Sequence, residues 1–202
     1  CTVAQRGTSV AAVAANQYVI DQWKYTLNGG AARFTISQAT DVPTTGGFSF
    51  SNKVDVTTVD SSIAAGERYT MQQPIEAQNL QHLLWGTASA KTLSLSFWVK
   101  SPKSGTHCVA FQHMDASYSF VREYTVAVAD TWEYISVTCP GYTATAINND
   151  TGAGLSIVFP IAIGTDSHAS ADTWTSGQKW STSNQQNLAD NTANNFLFTG
   201  VQ

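Results

Sequence analysis

The side chains able to do covalent or acid–base chemistry are few. The chain has four glutamates (Glu67, Glu76, Glu123, Glu133), four histidines (His82, His107, His113, His168) and three cysteines in 202 residues. A glycosidase needs two carboxyl groups a few ångströms apart, but each glutamate sits among ordinary strand or turn residues. Glu76 is explained by the dipole of a helix start. The histidines show no H-x-x-x-H or paired-cysteine spacing. His107 and His113 share a strand face without forming a ligand set, which reads as satisfied histidines. Asn148, Asn149 and Asp150 carry oxygens but lack the spaced carboxylates of a calcium loop, so a tight turn is expected. Asn149-Asp150-Thr151 matches a glycosylation acceptor only formally. No nucleophile elbow, phosphate-cradling loop or dinucleotide fingerprint is present. The expectation is therefore a protein that is not an enzyme, with no cofactor and no metal.

The aromatic residues are the informative class. There are six Trp and seven Tyr, and several stand where burial is not obvious. Trp98 is on the hydroxyl face of its strand, Tyr142 follows a Pro-Gly turn, and Trp174 and Trp180 lie in a polar region. A sugar ring offers an apolar C–H face to an indole and hydroxyls to neutral polar partners. Trp98, Tyr142, Trp174 and Trp180 are thus the candidate glycan-binding residues. The competing reading is that such rings pin a loop to its own domain or fill a subunit interface, where aromatics are enriched.

Composition supports an uncharged partner. Charged residues make up 12% of the chain, about half of what is usual, and 20 Ser, 25 Thr, 13 Gln and 11 Asn take their place. A net charge of -4 and ten Lys plus Arg argue against nucleic acid or an anionic membrane. No stretch reaches the ~18 apolar residues of a membrane span. Cys108 and Cys139 lie in strands and could pair if adjacent, but buried free thiols fit better, pointing to a reducing site of synthesis.

The elements that must carry these residues are strands. Over 92–100, Leu93, Leu95, Phe97 and Val99 alternate with Thr92, Ser94, Ser96, Trp98 and Lys100, a strand with one wet face. Similar patterns predict strands over 33–37, 48–56, 68–72, 107–113, 120–128, 133–139 and 196–201. The run 155–163 reads as a central strand in which Pro160 must bulge or face something other than a neighbouring strand. One short helix is predicted over 74–85, begun by Pro74 and stopped by Gly86. The fold class is all-β, an antiparallel β-sandwich of jelly-roll type in one domain over 1–202. A long polar loop region at 165–195 is expected to be functional or subunit-facing.

Several phrases carry a family resemblance: VAQRGTS (3–9), DQWK (21–24), IEAQNL (75–80), GTASAKTLSLSFWVKS (86–101), DTWE (130–133), NLAD (187–190) and FTGVQ (198–202). Together they resemble tail-fibre and related virion structural proteins of bacteriophages, particularly those of marine bacteria. Residues 93–100 are also similar to a strand of the jelly-roll carbohydrate-binding modules attached to bacterial glycosidases. The resemblance implies a virion component assembled in the host cytoplasm, a homotrimer of copies of itself beside other virion proteins, in contact with host surface polysaccharide. It implies a chain that runs on past Gln202 in relatives, and it transfers no catalytic or sugar-binding residue. An architectural capsid or tail decoration protein, and a carbohydrate-binding module of a secreted glycosidase, are the alternatives.

Overall fold

The computed structural model describes residues 4, 5, 7–20 and 22–202. Cys1 and the Val3, Arg6 and Asp21 of the quoted phrases lie outside them. Two antiparallel sheets face each other. The strands are β1 (Ser9–Val10), β2 (Gln17–Ile20), β3 (Trp23–Asn28), β4 (Arg33–Ala39), β5 (Ser51–Thr58), β6 (Arg68–Glu76), β7 (Leu93–Lys100), β8 (Gly105–His113), β9 (Tyr118–Val126), β10 (Glu133–Cys139), β11 (Ala153–Ile163), β12 (Trp174–Ser176) and β13 (Asn195–Thr199). The first sheet has the order β1-β4-β5-β13-β7-β10, and the second β12-β9-β8-β11-β6-β3-β2. This is the jelly-roll sandwich that the alternating pattern predicts. No helix among the described residues is long and apolar enough to cross a membrane.

The core follows from the pleat. Phe34, Ile36, Val54, Val56, Leu95, Phe97, Val99, Phe196 and Phe198 of the first sheet meet Trp23, Tyr25, Tyr69, Met71, Val109, Phe111, Leu155 and Phe159 of the second in one cluster. Edge-to-face rings tie the layers together, with Phe97 and Phe159 centred 4.9 Å apart and Trp23 and Phe198 4.6 Å apart, a geometry the ring quadrupoles favour.

The expected helix is shorter and tighter than its apolar spacing suggests. Strand β6 continues through Pro74, which is in register with Ser156 of β11, and only Ala77–Leu83 is helical, as a 3-10 helix. The pairing of β6 with β3 ends at Gln72, so a residue without an N–H is tolerated there. Glu76 is correspondingly the last strand residue; its carboxylate accepts from Gln78 Nε2 at 3.0 Å and is not in a first helical turn. The helix stops before Gly86, at Leu84, which takes the left-handed conformation with φ +54° and donates its N–H to Gln81 O; Gly86 lies two residues further on. Its φ is +85°, and a Cβ there would stand 2.2 Å from the Ala146 nitrogen.

Pro160 meets both of its expected conditions. The β11–β6 register shifts between Pro160 and Ala162, and the β11–β8 pairing stops at Val158 opposite Ala110. Beyond that point β8 and β11 separate and residues 185–188 enter between them. Gln186 N donates to Thr106 O, Cys108 N to Gln185 Oε1, and Leu188 N to Ile161 O. Cys108 on β8 and Cys139 on β10 are both buried and free, and their strands belong to different sheets.

Candidate functional site

The polar region 165–195 does not project. Its residues 165–173 and 177–184 form a roof over the outer side of β8, β9 and β11, while β12 between them extends the second sheet beside β9 and residues 185–188 run between β8 and β11. Trp180 is its nail. The indole is 3% exposed and packs with Cys108, Ala110, Val121, Val158 and Ile163 in a second apolar cluster. Its Nε1 donates to Gln112 Oε1 at 3.0 Å, and the Arg68 guanidinium lies 5.0 Å above the ring. This corrects the expectation that Trp180 is an exposed contact. Strands β8 and β11 beneath it are buried on both faces, and something had to cover them.

Tyr142 and Trp174 come together, with ring centroids 5.0 Å apart, in a chain of rings that includes Trp85, His113 and Tyr118. Trp174 Nε1 donates to Pro140 O at 3.2 Å, and the ring is half-buried. His113 is held neutral in this cluster. Its Nε2–H donates to Thr145 O, its Nδ1 accepts from Ala116 N, and burial pulls its pKa down. His107 is likewise a core residue, stacked near Tyr124 and Phe196, with Nε2–H on Lys103 O and a pKa lowered by burial. Among the described residues no group of three His, Cys, Asp or Glu could hold a metal ion.

Trp98 stands apart, on the outer face of the first sheet. The β7–β10 register sets it directly opposite Tyr134, followed by the pairs Ser96–Ser136 and Ser94–Thr138. The rings are 5.5 Å apart at 57°; Trp98 is half-exposed and Tyr134 is 56% exposed. Two rings thus continue into a ladder of four hydroxyls. The charges at the far end are neutralised, because Asp41 accepts from Lys100 Nζ at 2.8 Å and from Trp132 Nε1 at 2.9 Å. Burial alone would raise the Asp41 carboxyl, but these hydrogen bonds and the lysine charges hold it below the usual range. Tyr134 was not among the sequence candidates, since only register reveals its place beside Trp98.

A concavity of about 410 Å³ lies at the rim of the roof and includes Glu123, His168, Ser170, Thr182, Ser183 and Asn184. Glu123 accepts from Thr182 Oγ1 at 2.5 Å and from Asn184 Nδ2 at 3.0 Å, so it clips the roof to β9. The other glutamates have similar local duties. Glu67 accepts from Ala64 N, and Glu133 from Ala127 N and Val128 N. Asp115 accepts from both nitrogens of Asn148 and Asp150 from Gly152 N, giving the tight turn expected there.

The class of the fold, a two-sheet jelly-roll sandwich, is set by these strands alone. No family model matches the chain, and no curated protein does. Among solved structures it is similar to the family 11 carbohydrate-binding module of a cellulosomal cellulase of Clostridium thermocellum, at 13% identity over 93% of this chain and 89% of that one, with a TM-score of 0.43. The family 11 module from Clostridium thermocellum in complex with a beta-1,3-1,4-mixed-linked tetrasaccharide gives 13% identity, 96% and 94% coverage and a TM-score of 0.44. The enzymatically active domain of tailspike protein 4 of bacteriophage CBA120 gives 16% identity over 74% of this chain and 20% of that one, with a TM-score of 0.42. Likeness at this level is one of sandwich architecture and carries no argument about ligands.

Proposed function

We propose that this chain is a non-enzymatic virion structural protein of the tail-fibre or appendage type that contacts host surface glycan through the outer face of β7 and β10. The carrying observation is the Trp98–Tyr134 pair beside the Ser96–Ser136 and Ser94–Thr138 hydroxyls. Such a surface offers ring faces for apolar C–H groups and neutral donors and acceptors for sugar hydroxyls. Few charges are needed, since a neutral glycan gains little from electrostatic steering. The virion setting, with copies displayed as a homotrimer, is supported by the sequence phrases that resemble phage proteins. The Tyr142–Trp174 cluster is a secondary candidate, more enclosed and with its indole N–H already taken by Pro140.

The test is binding of the purified protein to immobilised bacterial surface polysaccharides, beside Trp98→Ala and Tyr134→Ala. Removing an anchoring ring costs more than about 1 kcal/mol, on the order of tenfold in affinity. Both positions are open enough that folding should be preserved. Undiminished binding by a folded Trp98→Ala/Tyr134→Ala double variant would remove this surface from the function. Virion genes beside this one, as opposed to a catalytic domain in the same reading frame, separate the phage reading from a glycosidase module.

A further inference from the structure

Sheet edges are templates for pairing, and proteins blunt them with short strands, bulges, charges or proline. Three of the four edges here are blunted. Strand β1 has two residues, β12 has three, and β2 has four with a register shift between Tyr18 and Ile20. Strand β10 is different. Its seven residues pair with β7 without a shift, and from Tyr134 to Cys139 it carries no charge and no proline.

The unpaired backbone groups of this edge can be assigned. Ser96 exchanges both backbone hydrogen bonds with Gln202, at 2.9 Å each, so its N–H and C=O point away from β10. Its partner across β7–β10 is Ser136. In an antiparallel ladder such a pair is non-hydrogen-bonded, which turns the Ser136 N–H and C=O outward. By alternation the same holds for Tyr134 and Thr138. The one acidic side chain at this edge is engaged locally, since Glu133 holds the nitrogens of Ala127 and Val128, and Val128 is left 57% exposed beside it.

We propose that β10 pairs antiparallel with β10 of a second copy of this chain, about a two-fold axis at Ser136. The strand is self-complementary in that register. Ser136 meets Ser136 and Tyr134 meets Thr138, each pair exchanging two hydrogen bonds. Ile135 meets Val137 on the inner face, joining the two cores. Glu133 meets Cys139, so no like charges oppose. The contact is isologous and joins copies in pairs, so it gives a dimer or, where copies are also arranged threefold, a pair of trimers, and it does not depend on the glycan reading. It would join the first sheets of two copies into one, with both Trp98–Tyr134 pairs on the same face and their tyrosines roughly 14 Å apart at ~3.4 Å per residue.

The test is the mass of the full chain by light scattering and sedimentation equilibrium, beside Ser136→Pro and Ser136→Lys. Proline removes an N–H that β7 does not use, and lysine sets like charges against each other on the axis. An even-numbered assembly whose mass both folded variants halve is the expected result, with circular dichroism unchanged. A monomeric parent overturns the proposal, as does an assembly that persists in a folded variant. Should the proline variant not fold, the lysine variant alone decides. Since the readout is mass, failure here leaves the glycan result standing, and the reverse.

Discussion

Replacing Trp180 by Ala separates a packing role from a contact role. Truncating a buried aromatic costs about 3–5 kcal/mol. Here the loss includes the ring's contacts with Val121, Val158 and Ile163, the hydrogen bond to Gln112, and the position of Arg68 over the ring. The Gln112 amide, itself buried, would be left without that donor, a cost of ~1–3 kcal/mol, and the cation–π contact adds about 1 kcal/mol. These overlap, because the roof can shift once the indole is gone. It is still tied to the strands by Asp172 N to Val121 O, Gln186 N to Thr106 O and Lys179 N to Ser119 Oγ. A net loss of ~4 kcal/mol follows, and at about 2–4 °C per kcal/mol for a chain of this size the melting temperature falls by roughly 8–16 °C. Urea unfolding gives the free energy, and limited proteolysis between residues 164 and 190 reports the roof. Trp180→Phe, which keeps a ring under Arg68 but no N–H, should lose about half as much. A Trp180→Ala protein that melts within about 2 °C of the parent, with that segment still protected, would show that the indole does not hold the roof.

Acid should destabilise the fold through its histidines. Burial lowers the pKa of His107 and His113, so below the unfolded value of about 6.5 the unfolded chain takes up protons that the folded chain refuses. Stability is full above that pH and declines beneath it, by up to roughly 1.4 kcal/mol per pH unit for each ring, and equal urea midpoints at pH 7.5 and 5.5 would contradict this. The thiols should be silent. Burial pushes Cys108 up to about 11 and Cys139 higher still, so in a Cys1→Ser background a disulfide reagent at pH 8 should titrate no thiol until denaturant is added. Rapid reaction of the folded protein would place one of them at the surface.

Strands with one dry and one wet face were legible in the sequence. The 133–139 prediction coincides with β10, and β7 differs from its prediction by one residue. Strand β3 was equally readable, with Trp23, Tyr25 and Leu27 alternating with Lys24, Thr26 and Asn28, yet it was not among the predicted strands. The helix was overextended because Ile75, Leu80 and Leu83 mimic a helical face while Ile75 is in fact paired with Leu155 of β11. The placement of Trp180 was legible only indirectly. Its own segment is polar, but β8 (GTHCVAFQH) and β11 lack a wet face, which requires a covering layer. Tyr134 could not be paired with Trp98 from sequence, because β7 and β10 are joined by two intervening strands and only their register sets the rings together.

The roof over β8, β9 and β11 also inverts where this chain can change. In most domains the strands are conserved by packing and the loops drift. Here the long connection is nailed into an apolar cluster, while Ser94, Ser96, Ser136 and Thr138 face water from a regular sheet whose inner side is untouched by what they become. A lineage under pressure to meet new surfaces would therefore diversify along two strands and keep its loop.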